Sequence, residues 1–263
     1  MQQVTIIKIG GNVIDDETSL HNFMRSYATI PGNKILVHGG GKLATRLAET
    51  LNIPTQMING RRVTDAASLQ VVTMVYAGEI NKKIVAALQA QGCNALGLSG
   101  ADGNLIRAKK RVVKETDYGF VGDLDEESVN SRLLLPLLEM GFAPVIAPIT
   151  HNGEGQLLNT NADTIASALA VSLARHAETH LVFCFEKKGV LRNPADEGSA
   201  IPHITPTVYR ELVAQQVISD GMLPKLDNAF AAINKGVKKV MIGYSGELEL
   251  LVQSKSGTVI SNE

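Results

Sequence analysis

The chain has 263 residues, 44% of them hydrophobic and 19% charged, enough for one large domain or two modest lobes over a shared core. Its 25 basic residues are balanced by 26 acidic ones, which leaves no bulk electrostatic footprint for a nucleic acid or a membrane surface. The two cysteines, Cys93 and Cys184, match no zinc or redox spacing and read as free thiols in a reducing compartment.

The first predicted strand, "VTIIKIGG", carries Lys8 among isoleucines, where its charge costs desolvation unless an anion meets it. Gly10 and Gly11 then bare the backbone as the chain leaves the strand. A start containing Lys8 and followed by acidic residues does not read as a signal peptide. A helix is predicted after Asp15, and "KILVHGGG" is the second strand. It opens into "KLATRLAETLNI", with a helical stripe at Leu43, Leu47 and Leu51. Residues 66 to 91 form a long helical region with Leu69, Val72, Tyr76, Ile80 and Ile84 three or four apart. Gly78 is a candidate interruption of it and Gly92 a candidate stop.

"NALGLSG" follows as a strand and "VVKETDYGFVGDL" as a hairpin. The apolar stretch "LLLPLLEMGFAPVIAPI" is broken by Pro136, Glu139, Gly141 and Pro144, so it reads as a helix and a buried strand rather than a bilayer span. "DTIASALAVSLA" is then a helix, "THLVFCF" a strand, "PTVYRELVAQQVI" and "KLDNAFAAINKG" helices, "KKVMIGY" a strand and "GTVIS" a last short strand. Strands alternating with helices predict a mostly parallel sheet covered on both faces. The glycine turns after "IIKI" and "ILVH" fall at the carboxyl ends of strands, where such sheets bind ligands.

"HGGGK" is not a P-loop, because Leu43 follows Lys42 and Leu36 holds the first glycine position. Gly39, Gly41 and Ala44 fit a dinucleotide fingerprint, but "INGRRVTD" lacks the acidic residue that should close a second strand about twenty positions later. Two glycine turns, one preceded by lysine, favour an anion site built from backbone N–H groups. The other polar candidates each have an ordinary structural account. Arg62 could face water, and Lys225 with Asp220 could be a turn and a solvated helix start. Asn159, Asn161 and Asp163 stand where helix N-caps belong, although three is more than a cap needs. His38 reads as a hydrogen-bonded residue at a strand end rather than a base.

Taken in order, "IIKIGGN", "VHGGGKLATRL", "INGRRVTD", "GLSGADGN", "LNTNADTIASALA" and "ISDGMLPKLDNA" resemble the motifs of the amino acid kinase family. The resemblance runs from residue 4 to the C-terminal strand. "NGRRVT" with "NTNAD" is similar to the branch acting on N-acylated glutamate rather than those acting on aspartate, carbamate or uridylate. It implies an α/β fold, an open three-layer αβα sandwich around a mainly parallel sheet. Residues 1–170 would form an N-terminal lobe for the N-acylglutamate and for dimerisation, and residues 171–263 a C-terminal lobe for ATP.

The implied reaction moves the γ-phosphoryl group of ATP, delivered with Mg²⁺, to the side-chain carboxylate, a cytoplasmic step of arginine biosynthesis. Lys8 and Lys225 match the lysines that stabilise the migrating phosphoryl group, and Asp163 the aspartate that holds them. Gly40, Gly41, Arg62 and Asn159 match the positions that bind the acylated amino acid. Gly10 and Gly11 would wall the phosphates. Glu186, Lys187, Lys188, Gly189, Val190 and Leu191, with Val217, Ile218 and Ser219, align with the adenine-nucleotide segments. No protein metal ligand is expected, since Mg²⁺ keeps waters and phosphate oxygens.

The chemistry is consistent with these residue types. A carboxylate nucleophile with a reference pKa near ~4.3 is already ionised at neutral pH and needs no base. The obstacle is an anion approaching a phosphate, so positioning and charge neutralisation carry catalysis. The planar fork of Arg62 suits an α-carboxylate. One segment departs from the family, which has Asp-Val-x-Gly after the strand where this chain has "EKKGVL".

The chain begins just before its first strand, without the N-terminal helical extension of the hexameric, arginine-inhibited members. The corresponding expectation is a homodimer without strong arginine feedback, paired through the helix around Leu69 to Ile84. Two alternatives stand beside this reading. One is a kinase for another N-acylglutamate, such as N-succinylglutamate. The other is a non-catalytic amino-acid sensor, against which the intact Lys8, Asp163 and Lys225 set argues.

Overall fold

The computed structural model describes residues 3–58, 60–113, 115–218 and 222–263. Among them, eight strands build one sheet: β1 (Gln3–Ile9), β2 (Asn33–His38), β3 (Ala95–Leu98), β4 (Ala143–Ile146), β5 (Glu178–Phe185), β6 (His203–Ile204), β7 (Lys239–Tyr244) and β8 (Thr258–Ile260). Their spatial order is β6-β8-β7-β5-β1-β2-β4-β3. Every neighbouring pair is parallel except β7 with β8. From β1 the chain first builds outward through β2 and later returns to place β5 on the other side. The β1–β5 boundary is therefore a topological switch point, and the crevice at its carboxyl end is where such sheets bind ligands.

The helices are α1 (Gly11–Asp15), α2 (Glu17–Thr29), α3 (Gly41–Thr50), α4 (Ala66–Thr73), α5 (Asn81–Gln89), α6 (Ser131–Glu139), α7 (Ala162–Ala174), α8 (Pro206–Ala214), α9 (Leu223–Asn234) and α10 (Leu248–Val252). Period-two alternation along the strands divides the apolar residues between two cores. Val4, Ile6, Val37, Phe183 and Ile242 pack with α6, α7, α8 and α9 on one face. Ile7, Ile9, Leu36, Val182 and Met241 pack with α1 to α5 and α10 on the other. The expected three layers are present. The expected lobe boundary at residue 170 falls inside α7, and each core draws on both halves of the chain.

Gly78 does not break the long helix. Instead α4 passes into α5 through a π-helical turn, Met74–Ile80, that contains it. The stripe Leu69, Val72, Tyr76, Ile80 and Ile84 is buried within the chain's own core. An interface on this helix is thereby confined to its outer face, where Met74 is 52% exposed.

His38 ends β2 fully buried. Its Nδ1 lies 2.8 Å from the Gly39 carbonyl oxygen and its Nε2 lies 3.2 Å from Asn81 Nδ2, which also donates to the Val145 carbonyl at 2.9 Å. A neutral ring protonated on Nδ1 satisfies both contacts. Burial pulls the imidazole down to about 4, with the Gly39 bond opposing and the Lys82 charge reinforcing. The native value thus lies below the unfolded one. Above pH 6.5 neither state is protonated and nothing is lost. As pH falls from 6.5 toward 4 only the unfolded chain gains the proton, at about 1.4 kcal/mol per pH unit. Urea unfolding from pH 7 to 4.5 is expected to show wild type losing stability relative to His38→Gln. Parallel curves would remove His38 from the acid response.

Candidate functional site

Alternation along β1 turns Val4, Ile6 and Lys8 toward α7 while Ile7 and Ile9 face the opposite core. Lys8 is only 9% exposed, and its charge is met. Its Nζ lies 2.8 Å from Oδ1 of Asp163 in the first turn of α7. The three polar residues before α7 separate by role. Asn161 caps the helix, its Oδ1 accepting from the Thr164 N–H at 3.0 Å. Asp163 takes the lysine. Asn159 faces a cavity and donates from Nδ2 to Thr64 Oγ1 at 3.0 Å.

That cavity, of about 270 Å³, gathers Lys8, Gly11, Gly39, Gly40, Gly41, Arg62, Tyr76, Asn159 and Asp163. Gly40 is the one residue of the turn whose backbone demands glycine. Its φ is +146°, and a Cβ there would collide with Cδ1 of Ile80 and press on the Tyr76 ring at 3.2 Å. Arg62 is buried beneath it. Its Nη1 donates to Thr55 Oγ1 at 3.1 Å, and its Nη2 donates to the Gly41 carbonyl at 2.9 Å and to Thr45 Oγ1 at 2.7 Å.

A second cavity, of about 350 Å³, opens at the carboxyl ends of β1 and β5. It is lined by Gly10, Gly11, Asn12, Val13, Cys184, Phe185, Glu186, Lys187, Gly189, Met222 and Lys225. Cβ atoms on Gly10 or Gly11 would meet nothing nearer than 3.8 and 3.7 Å, so the protein's own packing does not require glycine there. What the bare backbone provides is close approach for something entering the cavity. Gly11 lines both cavities.

Lys225, on α9, holds its Nζ 3.9 Å above the centre of the Phe185 ring, a cation–π contact. Burial pulls its ammonium below the ordinary 10.5, Asp163 opposing and Lys8 reinforcing. Among the described residues Lys225 makes no ion pair. Asp163 therefore binds Lys8 directly and reaches Lys225 only through its field, where the sequence had suggested a carboxylate holding both. Asp163 and Lys225 also face a third cavity, of about 470 Å³, between α7 and α9.

The "EKKGVL" segment divides. Glu186, Lys187 and Gly189 line the second cavity, and Lys187 is paired with Glu197 at 2.6 Å. The Lys188 backbone N–H also donates to Glu197 Oε2, at 3.3 Å. Val190 is buried in the core with its N–H given to Thr258 Oγ1 at 2.9 Å, and Leu191 bridges to Ala200. Ile218 is buried and Val217 packs against the same core, so their side chains are already engaged. Ser219 and Asp220 lie outside the described residues.

Three further residues of the site carried no motif. Tyr76 read only as part of a helical stripe. Arg111 and Asp123 pair across the ribbon Lys109–Lys110 with Gly122–Asp123, at 3.0 and 3.1 Å from Nε, and both reach the first cavity.

The chain matches the amino acid kinase family over residues 3–244. It is 53% identical, over 98% of both chains, to the acetylglutamate kinase of Phocaeicola vulgatus. It is 52% identical, over 97% of both, to the acetylglutamate kinase of Cytophaga hutchinsonii. Among solved structures it is similar to smu.665 of Streptococcus mutans UA159, with a TM-score of 0.75 and 29% identity over 99% of each chain. It also shares the fold of a Giardia lamblia carbamate kinase bound to AMP-PNP, with a TM-score of 0.71 and 14% identity over 100% of this chain and 99% of that one.

Proposed function

Because the chain belongs to the amino acid kinase family, we propose that it transfers the γ-phosphoryl group of ATP to the side-chain carboxylate of N-acetyl-L-glutamate. The products are N-acetyl-L-glutamyl 5-phosphate and ADP, and the step serves arginine biosynthesis. One observation supports the reading: the Lys8–Asp163 pair lines one cavity, and a second cavity of different chemistry, which holds Lys225, shares Gly11 with it. The cavity with Arg62 and Asn159 suits an acylated amino acid. The cavity with Gly10, Glu186 and Lys225 suits a nucleotide.

A γ-carboxylate oxygen attacks the terminal phosphorus in line, and the bond from that phosphorus to the bridging oxygen breaks toward ADP. The nucleophile is ionised already, so no side chain has to take a proton. Lys8 neutralises the migrating group from the acceptor side and Lys225 from the nucleotide side. Asp163 fixes the Lys8 ammonium so that little reorganisation remains when charge develops. ATP would bring Mg²⁺ with it, and the ion would offset phosphate charge alongside Lys8 and Lys225. A cytoplasmic homodimer, paired through the outer face of the helix around Met74, fits the same reading.

Hydroxylamine trapping with ATP and Mg²⁺ is expected to give hydroxamate from N-acetyl-L-glutamate and none from free glutamate or aspartate. N-succinyl-L-glutamate in a parallel reaction compares the acyl groups. Turnover with neither acylated substrate would end this reading.

A further inference from the structure

A guanidinium can hold a carboxylate by either of two forks, Nε with Nη2 or Nη1 with Nη2, and both require an Nη2 hydrogen. In Arg62 both Nη2 hydrogens are spent, on the Gly41 carbonyl and on Thr45 Oγ1. Neither fork is open, and Arg62 keeps only single donors on Nε and Nη1. An α-carboxylate in this cavity can therefore take only single bonds from Arg62 and from the one Nδ2 hydrogen that Asn159 keeps beside its bond to Thr64, and its remaining lone pairs can accept a further donor.

Tyr76 is placed to supply it. The π turn Met74–Ile80 widens the helix at this point and lays the Tyr76 ring against Gly40 at the cavity wall. The residue is 6% exposed. Among the described residues its hydroxyl makes no hydrogen bond, so the phenolic hydrogen is free for an acceptor arriving in the cavity that the residue lines. Burial raises the phenol above its ordinary 10.0, with Arg62 offsetting part of the rise, and the group stays protonated at neutral pH.

We propose that the Tyr76 hydroxyl is a substrate-binding donor that completes, with Arg62, the site for the α-carboxylate of the acylated amino acid. The assignment rests on the N-acylglutamate reading above. It explains why the chain carries a phenol where its helical pattern asks only for an apolar residue.

The test compares Tyr76→Phe with wild type on two acceptors, N-acetyl-L-glutamate and N-acetyl-L-isoglutamine, whose α-carboxylate is an amide. With the first, KM is expected to rise about tenfold while kcat stays within about twofold, and with the second, whose neutral amide oxygen accepts more weakly, the rise should be clearly smaller. KM for ATP should not move. Equal losses on both acceptors would make Tyr76 a packing residue and overturn the assignment, as would an unchanged KM for N-acetyl-L-glutamate. Should Tyr76→Phe not fold, 3-fluorotyrosine at position 76 of the wild-type chain gives a second reading. Its ¹⁹F signal is expected to shift more with N-acetyl-L-glutamate than with the amide, and the same shift with both would overturn the assignment. If wild type turned over no N-acylglutamate, the functional reading would fall and Tyr76 with it. Turnover with an indifferent Tyr76→Phe sinks Tyr76 alone.

Discussion

Replacing Lys8 with alanine is expected to lower kcat by about 10²–10³-fold while KM for N-acetyl-L-glutamate changes by less than about threefold. The size follows from where the charge sits. Lys8 is nearly buried at a strand end, in a site where a fixed ammonium is worth more than in water. Removing it takes a positive charge from the path of the phosphoryl group. It also leaves the Asp163 carboxylate, 2.8 Å away in the native pair, with an uncompensated negative charge beside an incoming phosphate. On the proposed reading KM is spared, because the amino acid is assigned to Arg62, Asn159 and the glycine turn. Adding Asp163→Asn to Lys8→Ala should recover part of the loss, since it deletes the stranded anion. Lys8→Arg should not rescue activity, because a planar fork cannot replace a compact ammonium in this space. Steady-state kinetics decide the matter: a raised KM with an intact kcat would move Lys8 from chemistry to binding.

Arg62→Ala is expected to do the reverse, raising KM for the acylated amino acid about 10- to 100-fold with kcat changed only a few-fold. Hydrogen bonds to a charged ligand group are of that strength, and Arg62 has single donors left to give. The side chain also joins three segments through Thr55, Gly41 and Thr45, so its loss loosens the turn that lines the cavity. Arg62→Lys should recover little, because one ammonium on a flexible stem cannot hold those three acceptors in place and still face the substrate. If Lys8→Ala and Arg62→Ala changed kcat and KM in the same proportions, the separation of roles between the two cavities would fail.

Much of this site was readable before any coordinates. A lysine inside "TIIKI" asked for an anion, read from the sequence as a phosphate, and within the protein its charge is met by Asp163. "NTNAD" held more acceptors than a helix cap needs, and the structure assigns the surplus to an ion pair and a cavity. The two glycine turns fell at the carboxyl ends of the neighbouring central strands β1 and β2. Other features were not readable. α10 covers five residues, too few for a helical period to register. Gly78 looked like a breaker, whereas the helix absorbs it by widening into a π turn. The last strand resembles the others by composition but runs antiparallel to β7, because the short connection through α10 returns at the same end of the sheet instead of crossing it. The Val190 and Ile218 side chains, aligned with nucleotide segments, belong to the core, because a segment that borders a ligand also has an inward side.

What the chain determined by itself was local in origin. Strand and helix periods, glycine at a tight turn and a capping asparagine each depend on residues a few positions apart, and so they survive in one dimension. What only the tertiary structure decided was which polar groups are already engaged. That Lys8 meets Asp163 while Lys225 rests on Phe185, and that both forks of Arg62 are spent, depend on segments far apart in the chain converging at the carboxyl ends of the central strands. A side chain's type states what it can offer. Its partners in space decide how much of that offer remains.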